Sequence, residues 1–167
     1  GGDLTIFTGD DLDGKFLVKA GEGQLNSLGN FGLNDSADRT IETFDGHISI
    51  LAQGDAVVGE VVNPTARKQS MFTSSDRDGT ELVELRYAQD ASLAVKTLQG
   101  DVSLPYGGIF TPILDVEAAG DMRIAAKIVL APSRTGQLRL VAGGDILGEY
   151  SSGELHGEII MSDIAPE

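Results

Sequence analysis

The chain has 167 residues, of which 26 are acidic and 12 are basic, and its formal net charge is -14. This charge, with no cluster of Lys or Arg, argues against binding to anionic membranes and excludes nucleic acid as a partner, because both require a positive face. The absence of cysteine excludes disulfides and thiolate metal sites. No apolar run approaches the roughly 18 residues that a membrane span needs.

One phrase recurs along the chain: a short run with alternating apolar residues, a Gly-Asp pair, and a second short apolar run. The strongest copies begin at Leu4, Ile48, Leu93 and Leu138, with separations of 44, 45 and 45 residues. A weaker copy begins at Leu114, which lies 21 residues after Leu93 and 24 before Leu138. The underlying step is therefore about 22 residues, which is typical of stacked supersecondary units. Near the start of the chain, Leu25 is predicted to mark the same half step and so to align with the first inward residue of each copy.

Each copy predicts a β-strand, because its apolar residues recur with a period of two. The residues predicted to face inward, in chain order, are Leu4 with Ile6, Ile48 with Ile50, Leu93 with Val95, Leu114 with Val116, and Leu138 with Leu140. The residues predicted to face outward between them are Thr5, Ser49, Ala94, Asp115 and Arg139. Every strand should therefore have one buried face and one exposed face.

A Gly-Asp pair follows each predicted strand and predicts a corner. Glycine permits the positive φ of a sharp corner, and aspartate accepts hydrogen bonds from backbone N–H groups two residues on. The corner pairs are Gly9-Asp10, Gly54-Asp55, Gly100-Asp101, Gly120-Asp121 and Gly144-Asp145. We interpret these residues as structural turns, each followed by a second short strand.

The recurring order of strand, corner and strand predicts an all-β fold: a single parallel β-solenoid over residues 1–167 with rungs of about 22 residues. Segment 63–79 lacks alternation and is predicted to be a protruding loop. Segment 104–112, with two prolines and a Gly-Gly pair, predicts a shorter corner loop. A β-propeller is the rival fold, since about 45 residues is also the length of a blade. The absence of Trp and the half-period copy at Leu114 favour the solenoid.

Several phrases together resemble the repeat region of bacterial filamentous-haemagglutinin-like exoproteins of the two-partner secretion type, over Gly2 to about Asp163. They are "GNFG", "ISILAQGDAVVGEVVNPT", "ASLAVKTLQGDVSL", and "LAPSRTGQLRLVAGGDI" followed by "GEIIMSD". The resemblance implies a right-handed parallel β-helix, exported through an outer-membrane β-barrel partner and used for adhesion at the cell surface. The amino-terminal secretion domain of that family is not matched. We therefore expect an extracellular shaft segment of a longer protein.

We assign no catalytic residue and no cofactor. Polysaccharide lyases and hydrolases with a β-helix fold use two or three carboxylates, often beside Arg or Lys. The aspartates here recur at one turn position in every repeat, and such repetition is more typical of structural residues than of an active site. A carbohydrate-active β-helix enzyme and a self-assembling extracellular fibre subunit remain as alternatives.

Two acidic turns resemble part of a calcium loop, because carboxylates alternate before a glycine. The candidate ligands are Asp10, Asp11, Asp13, Asp76 and Asp78. Neither turn supplies the full set of oxygen ligands, so a solvated acidic turn is the favoured interpretation. The two histidines, His47 and His156, do not make a transition-metal site without further ligands.

The predicted loop at 63–79 carries basic and apolar residues on an otherwise acidic chain. Its candidate contact residues are Arg67, Lys68, Met71 and Phe72. They form either a contact for a protein or glycan receptor, or a cover over a hydrophobic groove. We also expect end-to-end self-association, because neither terminus has an obvious cap over its strand edges.

Overall fold

The computed structural model describes residues 2–32, 40–64, 67–70, 81–84, 87–151, 154–155 and 157–161, which form twenty β-strands and no helix. The first ten strands are β1 Leu4–Thr8, β2 Phe16–Leu17, β3 Ala20–Ser27, β4 Thr40–Glu42, β5 Asp45–Ala52, β6 Ala56–Val57, β7 Glu60–Val62, β8 Arg67–Ser70, β9 Glu81–Glu84 and β10 Ser92–Thr97. The others are β11 Val102–Leu104, β12 Gly108–Phe110, β13 Ile113–Ala118, β14 Met122–Ile124, β15 Lys127–Leu130, β16 Gln137–Ala142, β17 Ile146–Gly148, β18 Tyr150–Ser151, β19 Glu154–Leu155 and β20 Glu158–Met161. The all-β prediction is confirmed. No helix in these ranges is long and apolar enough to cross a membrane.

Most strands belong to parallel sheets. A six-stranded sheet has the order β1-β3-β5-β10-β13-β16, and a four-stranded sheet has the order β17-β14-β11-β6. Isolated parallel bridges from Leu12 to Phe31 and from Phe31 to Ala56 continue the four-stranded sheet toward the start of the chain. Two three-stranded parallel sheets, β2-β4-β7 and β12-β15-β20, complete the arrangement, and β7 contacts β12.

The chain visits these sheets in a fixed order: the six-stranded sheet, the four-stranded sheet, then a three-stranded sheet. We call each such pass a level, and the six levels start at β1, β3, β5, β10, β13 and β16. This parallel order is compatible with a β-helix or solenoid. It differs from the antiparallel strands expected in a propeller blade.

Inward side chains of the six-stranded sheet stack into two columns along the levels. The first column contains Leu4, Gly23, Ile48, Leu93, Leu114 and Leu138, and the second contains Ile6, Leu25, Ile50, Val95, Val116 and Leu140. The members at the four middle levels are buried, whereas those at the first and last levels are partly buried. The predicted inward faces of the strands are confirmed.

The predicted register of Leu25 is wrong. Leu25 lies between Ile6 and Ile50, and Gly23 occupies the place between Leu4 and Ile48. A Cβ on Gly23 would lie 3.2 Å from Cγ2 of Val18 and 3.3 Å from Cγ1 of Ile48, so these two larger side chains fill the space that the glycine leaves.

The apparently equal spacings of about 45 residues have two different origins. The intervals from Leu4 to Ile48 and from Leu93 to Leu138 each cross two levels, whereas the interval from Ile48 to Leu93 crosses one, because β5 pairs directly with β10. The levels advance by 19, 25, 45, 21 and 24 residues. The uniform step is therefore wrong for the level that starts at β5.

This long level contains an antiparallel pair, in which β8 pairs with β9. Strand β8 lies inside the predicted loop at 63–79, and its partner follows that segment. The predicted corner loop at 104–112 also contains a strand, β12, which pairs with β15. The chain returns from the insertion at Tyr87, whose hydroxyl donates a hydrogen bond to the carbonyl oxygen of Ile109 at 3.0 Å. Burial raises the pKa of the Tyr87 hydroxyl well above its usual value, so this donor stays protonated.

Candidate functional site

The corners of successive levels are joined by a continuous series of hydrogen bonds, which we call the corner ladder. In each step, the side-chain Oδ1 of one level accepts the backbone N–H of the equivalent residue in the next level, at N···O distances from 2.7 to 2.9 Å. The members are Asp11, Asn30, Asp55, Asp101, Asp121 and Asp145. Each level is therefore bonded to its neighbour through a side chain as well as through the sheets.

The structure changes the predicted chemistry of the corners in two respects. At the first corner the ladder residue is Asp11 and not Asp10, whose carbonyl oxygen instead accepts the N–H of Gly29 at 3.1 Å. The ladder aspartates bond to the next level and not to N–H groups two residues on. The physical reason is the parallel stacking, which brings the next N–H within reach of each carboxylate.

The predicted positive φ at the corner glycines is wrong, since the glycines with positive φ in the described part of the chain are Gly14, Gly21 and Gly32. The corner glycines provide space. A Cβ would collide with the ladder Oδ1 of the preceding level at Gly29, Gly54, Gly100, Gly120 and Gly144. Gly9, at the first corner, has no such neighbour within 4 Å. Glycine therefore leaves room for the side-chain oxygen that accepts the N–H of the residue after it.

Asn30 is a member of the ladder that sequence reasoning missed. Its Nδ2 donates to Oδ1 of Asp11 at 3.1 Å, and its Oδ1 accepts the N–H of Asp55 at 2.8 Å. An amide can donate and accept, so it separates two carboxylates without repulsion. One sequence signal could have identified Asn30 as a corner residue: it follows a glycine and precedes an apolar residue, as the aspartates of the Gly-Asp pairs do.

The calcium candidates do not gather into a site in the part of the chain that the structure describes. Those residues contain no group of three or more His, Asp or Glu side chains that could hold a metal ion. Oδ1 of Asp11 already accepts hydrogen bonds from the backbone N–H and the side-chain amide of Asn30. Asp76 and Asp78 lie outside the described residues.

We expect a chelator to change the melting temperature by no more than about two degrees, because ligand-linked stabilisation is lost only where a ligand was bound. The measurement is a thermal melt with and without EDTA, followed by addition of excess calcium. A large decrease that calcium reverses would contradict the structural interpretation of the two acidic turns, at Asp10 and Asp13 and at Asp76 and Asp78.

The remaining candidate residues are placed as follows. The backbone of Arg67 and Lys68 belongs to β8, and Met71 and Phe72 lie outside the described residues. Nδ1 of His47 lies 3.0 Å from Oγ of Ser92 on the outer face of the six-stranded sheet. His156 also lies outside the described residues. The role of the segment at 67–72 as a receptor contact remains a prediction.

A groove of about 310 Å³ lies on the outer face of the six-stranded sheet, and we call it the outer groove. Its lining includes the short side chains of Ser49 and Ala94, which are neighbours in the sheet. Leu51 and Asn26 lie in the adjacent outward row. Because the short side chains stand beside longer ones, the face is recessed at this point. The sequence predicted that four of the lining residues, Ser49, Ala94, Asp115 and Arg139, face outward, but it did not predict a groove.

Four charged residues that also line the outer groove form what we call the charged quartet. Nζ of Lys96 lies 2.7 Å from Oε1 of Glu117. The guanidinium of Arg139 contacts Oδ1 of Asp115 at 2.7 Å and Oε2 of Glu117 at 3.2 Å. Three neighbouring strands, β10, β13 and β16, supply these residues. The two positive and two negative charges balance.

The charged quartet also changes the protonation behaviour of its members. Hydrogen bonds from Lys96 and then Arg139 lower the pKa of the Glu117 carboxyl below its usual value. Hydrogen bonds to Asp115 and Glu117 raise the pKa of Arg139. The four side chains are partly exposed, so their pairing contributes little to stability. The pairing places two cationic donors and two anionic acceptors side by side at the groove.

Known proteins do not supply a role for either feature. The chain matches no protein-family model, no curated protein and no solved structure. The roles of the corner ladder and the outer groove are therefore inferred from their own geometry.

Proposed function

We propose that the chain is a right-handed parallel β-solenoid that serves as a stiff, non-enzymatic shaft segment of a secreted bacterial surface adhesin or exoprotein. The observation that carries this proposal is the corner ladder, which links all six levels in series. A hydrogen bond repeated at every step opposes separation of neighbouring levels along the whole stack. In this proposal each level is one rung.

Three kinds of interaction would make the shaft stiff. Backbone hydrogen bonds of the parallel sheets would run along the stack, with strands roughly 4.8 Å apart. The two aliphatic columns exclude water from the interior, and their burial favours the stacked state. The corner ladder adds a side-chain bond at every step. Bending the shaft would therefore distort the backbone hydrogen bonds, the packing of the aliphatic columns and the corner ladder together.

The extracellular location rests on the resemblance to filamentous-haemagglutinin-like exoproteins. That resemblance implies an outer-membrane secretion partner during export and a final position at the bacterial cell surface. The antiparallel pairs β8–β9 and β18–β19 are places from which a shaft could display contacts to a glycan or protein receptor. End-to-end association of copies remains a prediction.

A carbohydrate-active enzyme is the less favoured alternative. The outer groove contains two carboxylates, Asp115 and Glu117, and both are bonded to Arg139. A glycosidase needs a general acid with a raised pKa, whereas the pKa of Glu117 is lowered. The charged quartet is therefore poorly suited to acid catalysis.

Immunolabelling tests the proposed location and export. Antibodies raised against the chain should label intact cells of the organism that encodes it. Labelling of intact cells should be lost in a strain that lacks the outer-membrane secretion partner, while a cytoplasmic marker stays unlabelled in both strains. Labelling that appears only after permeabilisation would contradict a surface shaft.

A further inference from the structure

The outer groove has the size and the lining of a ligand site. Its volume of about 310 Å³ is at the lower end of the range for small-molecule sites. Its lining combines apolar groups from Leu51 and Ala94 with an amide and a hydroxyl from Asn26 and Ser49. A site of this kind accepts a ligand that has both apolar and hydrogen-bonding surfaces.

The charge of the groove limits the ligand further. The positive groups of Lys96 and Arg139 are already paired with carboxylates, and the quartet as a whole is neutral. An anion would have to compete with Asp115 and Glu117 and would also meet the net charge of -14. A cation would have to displace Lys96 or Arg139 from the same carboxylates. A neutral ligand avoids both costs.

Hydroxyl groups suit the quartet because each can donate and accept a hydrogen bond. A hydroxyl can donate to a carboxylate of the quartet while it accepts from an adjacent ammonium or guanidinium group, so no charge is left without a partner. The hydroxyl of Ser49 donates a hydrogen bond to the carbonyl oxygen of Gly23 at 3.3 Å, and its oxygen can still accept a hydrogen bond from a ligand. The apolar groups of Leu51 and Ala94 can contact the C–H face of a ring.

We infer that the outer groove binds an uncharged saccharide segment, with its ring over Ala94 and Leu51 and its hydroxyls bonded to the charged quartet. The groove lies on neighbouring strands of the six-stranded sheet, so strand pairing fixes the backbone from which its hydrogen-bonding side chains extend. This inference concerns a site distinct from the proposed display elements β8–β9 and β18–β19. It does not depend on the surface location tested above.

The test is titration of the whole chain with neutral tetrasaccharides of glucose, galactose, mannose and N-acetylglucosamine, followed by calorimetry. Sulfated and uronic-acid tetrasaccharides are measured in parallel at low and high salt. We expect at least one neutral tetrasaccharide to bind with one-to-one stoichiometry and with little dependence on salt. Failure of all four neutral probes would overturn the inference, as would binding of only the acidic probes with a loss at high salt.

Two variants locate the site. Ala94→Tyr fills the groove from an outward position and should weaken binding by roughly tenfold or more. Ala119→Tyr makes the same change at an exposed position outside the groove and should leave binding unchanged. Asp115→Asn keeps the shape of the side chain and should weaken binding by removing an anionic acceptor. If Ala94→Tyr binds as tightly as the original chain, the inference is overturned. The labelling experiment tests the shaft proposal separately, so failure of one does not imply failure of the other.

Discussion

Leu93→Asp is expected to lower the free energy of unfolding by about 3 to 5 kcal/mol, because it buries a charge without a partner. Leu93 is 0% exposed and lies between Ile48 and Leu114 in the first inward column. No basic side chain belongs to that column, so the carboxylate would have to be buried unpaired or become protonated. The measurement is urea denaturation with a thermal melt on the same samples.

Ser92→Asp is the matched control for this change. Ser92 is the preceding residue of β10, and it points outward, with Oγ 3.0 Å from Nδ1 of His47. A carboxylate there remains in contact with water, so we expect a change of less than about 1 kcal/mol. Similar melting temperatures for the two variants would show that the inward and outward faces of β10 are wrongly assigned.

Gly120→Ala is expected to cost about 2 to 4 kcal/mol, because it combines overpacking with the loss of a charge-assisted hydrogen bond. A Cβ at this position would collide with Oδ1 of Asp101. That oxygen accepts the N–H of Asp121 at 2.8 Å, so either the carboxylate or the backbone of the next level must move. The effect should appear in the free energy of unfolding, measured by urea denaturation.

Gly9→Ala provides the control, since it is the same substitution at the first corner. No atom lies within 4 Å of the Cβ that it would introduce, and Gly9 does not have a positive φ. We expect a change within about 0.5 kcal/mol. Equal losses for the two variants would mean that the glycines are required for backbone conformation and not for the corner ladder.

The levels show why residue spacing alone was insufficient. The intervals from Leu4 to Ile48 and from Ile48 to Leu93 are 44 and 45 residues, but the first crosses two levels and the second crosses one. Spacing counts residues, whereas a level is defined by strand pairing. The insertion that contains β8 and β9 lengthens one level by an amount close to a full repeat. Only the direct pairing of β5 with β10 distinguishes these cases.

The position of Leu25 illustrates a related limit. A shift of two residues along a strand preserves the alternation of inward and outward side chains, so periodicity cannot distinguish the two inward columns. Gly23 occupies the column that Leu25 was predicted to fill. A glycine in a strand provides no apolar signal, which explains why its place in the column was not recognised.

The sequence by itself determined the all-β class, the inward and outward faces of the main strands, and the position of most corners, because these depend on neighbouring residues and on a period of two. Tertiary structure alone decided which residues meet across levels. The corner ladder joins residues 19 to 46 positions apart, and it selects Asp11 over Asp10 and includes Asn30. The charged quartet likewise depends on the pairing of β10, β13 and β16. The physical reason is that strand register places distant residues side by side, and register is fixed by the packing of the whole stack.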